Sequence, residues 1–277
     1  MIKARVAWRL LLCGPLLLAP GCGGGGEPAA PVGSTSGVME RPPALSIAAA
    51  SSLRFALDDL VEGFREAHPE TGVAVTYGSS GNFYAQIQNG APFDLYLTAE
   101  ISYAHQLVEA GLARPQSLFI FADGRIALWV LKDSPIDIET LGLRALLDPA
   151  VRQVSIANPA VAPYGIAAEE AMRAADVYDE LKPKLVLGES IAQALQFVES
   201  GGAQGGVLAL SLVVAPEVAA RGRYVLLPSD VHQRIEHGGV ILTGAAQPEA
   251  AGSFRAFLMS DAARPVLDRY GFAAPEP

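Results

Sequence analysis

The sequence predicts an α/β fold in which parallel sheets are joined by helical crossovers. Three observations carry that prediction. Short apolar runs of strand length alternate with amphipathic stretches of about ten residues, the alternation starts at residue 44 and lasts almost to the end, and no repeat of solenoid period is visible. A chain of 277 residues that is 51% hydrophobic can bury a sizeable core.

In order, Leu45 to Ala49 is an apolar run of strand length. Leu53, Ala56, Leu57, Leu60, Val61, Phe64 and Ala67 fall at helical spacing, and His68-Pro69 stops the helix because a residue before Pro is pushed out of the helical region. Val73 to Tyr77 alternates as a strand. Asn82 to Asn89 reads as a helix closed by Gly90, Phe93 to Thr98 as a strand, and Ile101 to Ala110 as a helix stopped by Gly111. The strongly apolar Arg125 to Leu131 begins a second set of strands, continued by Val154 to Ala157, Lys184 to Leu187, Gly206 to Leu210 and Tyr224 to Leu227. Helices are expected between them at Ala167–Ala175 and Ile191–Glu199. Gly239 to Thr243 is a late strand, and Glu249–Met259 and Ala262–Tyr270 are helical.

The chain start reads as an address. Lys3, Arg5 and Arg9 precede a short apolar stretch from Leu10 to Ala19, too short to span a bilayer, as in an export signal. It ends at Ala19-Pro20-Gly21-Cys22, which resembles a bacterial lipoprotein cleavage box with Cys22 as the lipidated residue. Ala19 and Pro20 depart from its usual pattern. Residues 1–22 are thus expected to be a signal and the Gly/Pro/Ser-rich residues 23–43 a flexible tether. The expected location is periplasmic, or anchored to the membrane by that lipid.

Charge narrows the function. The net charge is −9 and no Lys/Arg run appears beyond the first nine residues, which argues against nucleic acid. Both cysteines, Cys13 and Cys22, lie in the first 22 residues, so the folded body has neither disulfide nor thiolate site. His68, His105, His232 and His237 lack metal-ligand spacing and read as surface or loop residues. An anion held by this chain must therefore be held locally, by backbone N–H groups and hydroxyls.

Open α/β sheets bind ligands where strands end and helices begin. Four such turns are rich in small or polar residues: Ala48-Ala49-Ala50-Ser51-Ser52-Leu53, Tyr77-Gly78-Ser79-Ser80-Gly81-Asn82, Asn158 to Gly165 with Ala162-Pro163-Tyr164, and Gly188-Glu189-Ser190-Ile191. Any one alone is accounted for by a serine capping its own helix. Four together suggest helix starts converging from two lobes. They contain one acid, Glu189, expected to point outward or cap, and Arg54 is expected to face solvent. A donor-only site suits an unprotonated dianion such as molybdate, tungstate or sulfate better than phosphate, which usually keeps a proton and benefits from a carboxylate acceptor.

Ala49 to Leu53, Gly78-Ser79-Ser80-Gly81 with Gly90-Ala91-Pro92-Phe93-Asp94-Leu95, the Asn158 to Gly165 turn and the closing Arg269-Tyr270-Gly271-Phe272 together resemble the molybdate-binding proteins (ModA) of ABC importers, over about residues 44 to 273. The resemblance implies a two-lobed periplasmic binding protein of the type 2 superfamily, each lobe a mixed, mostly parallel sheet flanked by helices, with the ligand in the cleft between. Lobe one would comprise residues 44–122 and 229–277, and lobe two residues 123–228. It further implies that Ser52 and Ser80 donate hydroxyl and N–H groups to a molybdate or tungstate oxyanion, that Ser51 and Ser79 share the role, and that Tyr164 and Ile191 give backbone N–H groups. The residues meet the oxyanion's oxygens; none is a direct cation ligand, and no cofactor is implied. Some family members place a ligand tyrosine where this chain has Ala209, and the phenol of Tyr164 is expected to replace it. The expected partner is a membrane permease with its own ATPase. The chain has no P-loop, and the expected state is monomeric and non-enzymatic. Closure would turn on crossovers near Phe121–Arg125 and Pro228–His232.

Other readings are a sulfate or thiosulfate carrier, an iron-complex carrier, a sensory protein that keeps the fold, and a secreted serine hydrolase using Ser80. The last lacks the G-x-S-x-G pattern, because Asn82 stands where Gly is needed. The iron reading lacks clustered Tyr and His ligands.

Overall fold

A computed structural model describes residues 44–275. The signal, the Cys22 box and the tether fall outside the described residues. No helix among the described residues is long and apolar enough to cross a membrane.

The chain starts with β1 (Leu45–Ala50), a 3₁₀ turn (Ser51–Leu53), α1 (Arg54–Ala67), β2 (Val73–Gly78), α2 (Ser80–Gln88), β3 (Leu95–Thr98), α3 (Ile101–Glu109) and β4 (Phe119–Gly124). It continues with β5 (Ile126–Leu131), α4 (Ile138–Leu141), β6 (Val154–Ala157), α5 (Pro163–Ala174), α6 (Tyr178–Leu181), β7 (Leu185–Gly188), α7 (Ile191–Glu199), β8 (Gly205–Ala209), α8 (Leu210–Val213), α9 (Pro216–Ala219) and β9 (Gly222–Leu226). It closes with β10 (Ile235–Ile241), α10 (Pro248–Leu258) and α11 (Arg264–Arg269).

These strands form two five-stranded sheets, ordered β2-β1-β3-β10-β4 and β7-β6-β8-β5-β9. In the first, β1 pairs in parallel with β2 and β3, while β10 runs antiparallel to β3 and β4. In the second, β6 pairs in parallel with β7 and β8, while β5 runs antiparallel to β8 and β9. The mixed, mostly parallel sheets implied by the resemblance are observed: in each sheet a single strand runs against its neighbours. The reversed strands, β5 and β10, are the two that receive the chain as it passes from one sheet to the other. The two-lobed fold implied by the resemblance is the one observed.

Element boundaries moved for identifiable reasons. Helix α5 starts at Pro163, ahead of the first periodic apolar residue, because Pro at the first helical position needs no hydrogen-bond acceptor for its missing N–H. Helix α2 starts at Ser80, with Ser79 as its N-cap. Strand β4 occupies a segment read from sequence only as a crossover. Strand β10 starts at Ile235, ahead of the expected Gly239, since its first residues alternate Ile235, Glu236 and His237 with only the odd positions buried. His237 is thereby corrected from a surface or loop residue to a strand residue with no solvent exposure.

Packing follows the patterns read from sequence. Leu57, Leu60, Val61 and Phe64 bury one face of α1, and Trp129 is buried on β5, between β8 and β9 of the second sheet. The carboxyl ends of β1, β2, β6 and β7 each run directly into a turn and then a helix, and those turns form the site.

Candidate functional site

A single small cavity is lined by all six residues expected at the site: Ser51, Ser52, Ser79, Ser80, Tyr164 and Ile191. Ala50, Gly78, Ala99, Ala162 and Pro163 complete its wall, and none of these eleven described residues carries a charge. Its free volume of about 10 Å³ shows walls drawn close together. Ser51 and Ser52 come from the turn after β1 and Ser79 and Ser80 from the turn after β2. Tyr164 starts the helix after β6, and Ile191 the helix after β7. The four serines and Tyr164 are almost wholly buried, and Ile191 is 4% exposed. Glu189 and Arg54 are exposed, as expected.

The first turn of an α-helix leaves N–H groups that the helix cannot satisfy, and here all but one in each of three helices are satisfied by other groups. In α2, Gly81 N–H donates to the Val161 carbonyl at 2.9 Å and Asn82 N–H to Ser79 Oγ at 3.3 Å. That leaves the N–H of Ser80. In α7, Ala192 N–H donates to Ser51 Oγ and Gln193 N–H to Ser190 Oγ, each at 3.3 Å, leaving the N–H of Ile191. In α5, Pro163 has no N–H and both Gly165 and Ile166 donate to the Ala162 carbonyl, leaving the N–H of Tyr164. Each helix thus keeps one first-turn donor, and each lies on a residue that lines the cavity. Gly165 makes this possible for α5, because a Cβ there would overlap the Ala157 carbonyl and push the helix off β6.

Hydroxyls add to these donors. Ser79 Oγ accepts from Asn82 N–H, Ser80 Oγ accepts from Ala99 N–H at 3.0 Å, and Ser51 Oγ accepts from Ala192 N–H. A hydroxyl that accepts still has its own proton to donate. Two of the bonds cross between the sheets: Gly81 N–H to Val161, and Ala192 N–H to Ser51. Ser211, on α8, adds a third by donating its hydroxyl to the Ser52 carbonyl at 2.7 Å. Ser211 was not singled out from sequence.

Behind Ser52 lies a buried polar cluster that the sequence reading missed. Ser52 Oγ is 2.9 Å from His237 Nε2, and His237 Nδ1 is 3.1 Å from the Ile235 carbonyl oxygen. Burial pushes the His237 pKa down to about 4, only partly offset by the Ile235 carbonyl. The imidazole is accordingly neutral at pH 7. The Tyr164 ring lies 5.9 Å from the His237 ring, and Tyr164 Oη is buried without a hydrogen-bond partner of good geometry among the described residues. Burial raises the Tyr164 pKa, and the neighbouring Ser52 and Ser211 hydroxyls oppose that rise. In β10 Ile235 and His237 are buried while Glu236 between them is half-buried, which places the imidazole on the inward side of the strand. Ala209, where a tyrosine was expected in other family members, is fully buried and caps α8.

A larger depression among the described residues, about 580 Å³, lies elsewhere and is lined by residues such as Leu131, Ile136 and Ala203. It sits toward the amino ends of β6 and β8, opposite the end at which α/β sheets take ligands. No group of three or more potential cation ligands occurs among the described residues.

Comparison with known proteins agrees with this geometry. Residues 45–273 match the family model of the bacterial extracellular solute-binding proteins. The molybdate-binding protein ModA of Rhodobacter capsulatus is 39% identical over 205 residues, covering 73% of this chain and 79% of that protein. ModA of Azotobacter vinelandii is 34% identical over 230 residues, covering 82% and 89%. The solved Azotobacter vinelandii periplasmic molybdate-binding protein matches with a TM-score of 0.78 at 27% sequence identity, over 84% of this chain and 100% of that one. The sulfate-binding protein SubI of Mycobacterium tuberculosis, at 18% identity and a TM-score of 0.69 over 84% of this chain and 86% of that one, shares the fold alone. From Leu45 to Ala273, then, the chain belongs to the bacterial extracellular solute-binding protein family.

Proposed function

We propose that this protein captures molybdate or tungstate outside the cytoplasm and presents it to an ABC permease driven by a separate ATPase. What supports this reading is that residues carrying unspent helix-start N–H groups from both sheets, together with four serines that follow strands of the first sheet, line one cavity without a charged side chain. A tetrahedral dianion without protons has only acceptors to offer. Hydrogen bonds from neutral donors to it are charge-assisted, so no basic side chain is needed. Helix N-termini add a favourable dipole.

In this reading the N–H groups of Ser52, Ser80, Tyr164 and Ile191 and the hydroxyls of Ser51, Ser79 and Ser80 surround the oxyanion. The Tyr164 phenol, buried without a partner of good geometry among the described residues, replaces the tyrosine absent at Ala209. Residues 44–122 with 229–277 form one lobe and 123–228 the other, and the crossovers near Phe121–Arg125 and Pro228–His232 act as the hinge. Ligand binding favours the closed form because only there do both lobes donate. The protein works as a monomer, and its Cys22 is the site of lipid attachment. No hydrolytic step is assigned to it.

A thermal-shift panel tests the reading. A ligand at 1,000 times its dissociation constant adds about 4.1 kcal/mol to stability. Molybdate and tungstate should raise the midpoint strongly, sulfate less and phosphate hardly at all. An equal response to sulfate would make the protein a sulfate carrier, and no response to any oxyanion would end the proposal. Replacing Tyr164 with Phe should weaken molybdate binding by about tenfold, the worth of one hydrogen bond to a charged group. Unchanged affinity in calorimetry would remove the phenol from the donor set.

A further inference from the structure

Four serines line the cavity, but their hydroxyl protons are not equally available. Ser51, Ser79 and Ser80 each accept a backbone N–H through Oγ, and that leaves their protons free to point at a ligand. Ser52 differs. The Ile235 oxygen facing His237 Nδ1 belongs to a carbonyl, which cannot donate, so Nδ1 must carry a proton. A neutral ring then has only a lone pair at Nε2, and the group 2.9 Å away that can donate to it is the Ser52 hydroxyl.

We propose that His237 is the residue that sets the donor count of the cavity: it takes the Ser52 hydroxyl proton, so that position 52 meets the ligand through its backbone N–H alone. The inference rests on the oxyanion reading and sharpens it. Turning the hydroxyl toward an anion would leave the Nε2 lone pair buried, without a donor, and facing a serine lone pair at hydrogen-bonding distance. That arrangement is disfavoured inside a protein, where an unmade bond costs more than a made one gains. The Ser52 hydroxyl is the hydrogen-bond partner of Nε2 among the described residues, and the rest of the ring is enclosed. The rings of Phe121 and Phe272 pack edge-on against it, and the Tyr164 ring covers another side. Tyr164 is the titratable group among these neighbours. Asp123 on the adjoining β4 and Glu236 on β10 itself are joined to Arg234 at 2.6 and 3.6 Å. Glu170, on α5, accepts from Gln233 N–H.

The family's serine at this turn would otherwise add a further hydroxyl donor. His237 withdraws it, and the structure brings a buried phenol, Tyr164, beside the same serine. The set of donors is thereby exchanged rather than enlarged, and His237 acts on the ligand only through Ser52, as a positioning residue.

Calorimetric titration with molybdate tests this on a cycle of the wild type, Ser52→Ala, His237→Phe and their double variant, with Ser80→Ala, and His237→Gln with and without Ser52→Ala, beside it. In the wild-type background Ser52→Ala should change affinity by less than about threefold, whereas Ser80→Ala should weaken it by about tenfold. In the His237→Phe background the Ser52 hydroxyl is released toward the ligand, and the same Ser52→Ala step should now cost about tenfold. His237→Gln, whose amide oxygen can still accept the hydroxyl, should restore the wild-type insensitivity. Should the Phe variant fail to fold, ¹⁵N NMR of the wild-type histidines decides alone. The proposal requires a proton on Nδ1 and none on Nε2, with and without molybdate. A loss of tenfold or more for Ser52→Ala in the wild type, or an imidazolium in the complex, overturns it. If wild-type protein binds no oxyanion at all, the functional reading fails, while the NMR signature still reports on the Ser52–His237 bond.

Discussion

At the scale of single residues, identical side chains do different work because of what lies behind them. Ser79 caps α2, Ser80 anchors the Ala99 N–H, and Ser52 faces an imidazole. His237 carries the clearest consequence. Its folded-state pKa of about 4 lies below the ordinary 6.5, so the unfolded chain binds more protons between those values. Stability contributed by the neutral, buried ring is thus fully present above pH 6.5 and is lost as pH falls toward 4. The slope from this one group is at most about 1.4 kcal/mol per pH unit. Denaturant melts from pH 7 to pH 4 should show a steeper loss for the wild type than for His237→Gln. Parallel curves would mean that the histidine is not held neutral. None of this was legible in the sequence, where a lone histidine before two glycines resembles a loop. What hid it was the partial apolar pattern at the start of β10, which masked a strand with one inward-facing polar side chain.

At the scale of elements, the strand-to-helix turns were the most legible part of the molecule. Short strands ending in small residues announce themselves by composition, and Ser79 and Ser190 occupy N-caps as their types predict. Less legible were the elements that connect the sheets. Strand β4 lacks a helix of its own, and the reversed β5 and β10 follow from chain routing rather than from any residue pattern. The single first-turn N–H kept by each helix invites a direct test on α7. Ile191 is the first residue of that helix, where Pro is tolerated, and Ser190 before it has φ −144° and ψ 166°, an extended conformation close to what a following Pro requires. Ile191→Pro therefore deletes one donor while leaving the helix in place. Molybdate affinity should fall by about tenfold or more, as expected for a hydrogen bond to a charged group. Circular dichroism should show the helix retained, and the lost Ile191 side chain should cost about 1–3 kcal/mol of stability. Undiminished affinity in the folded variant would mean that this N–H does not touch the ligand.

At the scale of the whole molecule, the two sheets follow one plan. Each places the first strand of its parallel trio second in order, sends the next strand to the edge, and carries its reversed strand in fourth place. The donors obey the same plan: Ser52 and Tyr164 follow β1 and β6, the corresponding strands of the two sheets, and Ser80 and Ile191 follow β2 and β7. In the proposed function the four amides thus form two matching pairs, one from each sheet, and that pairing suits a guest with a twofold axis. A regular tetrahedron possesses such an axis, since its four corners divide into two opposite edges, whereas a flat trigonal ion presents three corners in one plane and cannot offer two edges. Nitrate and carbonate, although anionic and rich in acceptors, should accordingly leave the melting midpoint unmoved at concentrations where molybdate raises it. A matching rise with nitrate would show that the pocket responds to negative charge and not to the symmetry of its guest.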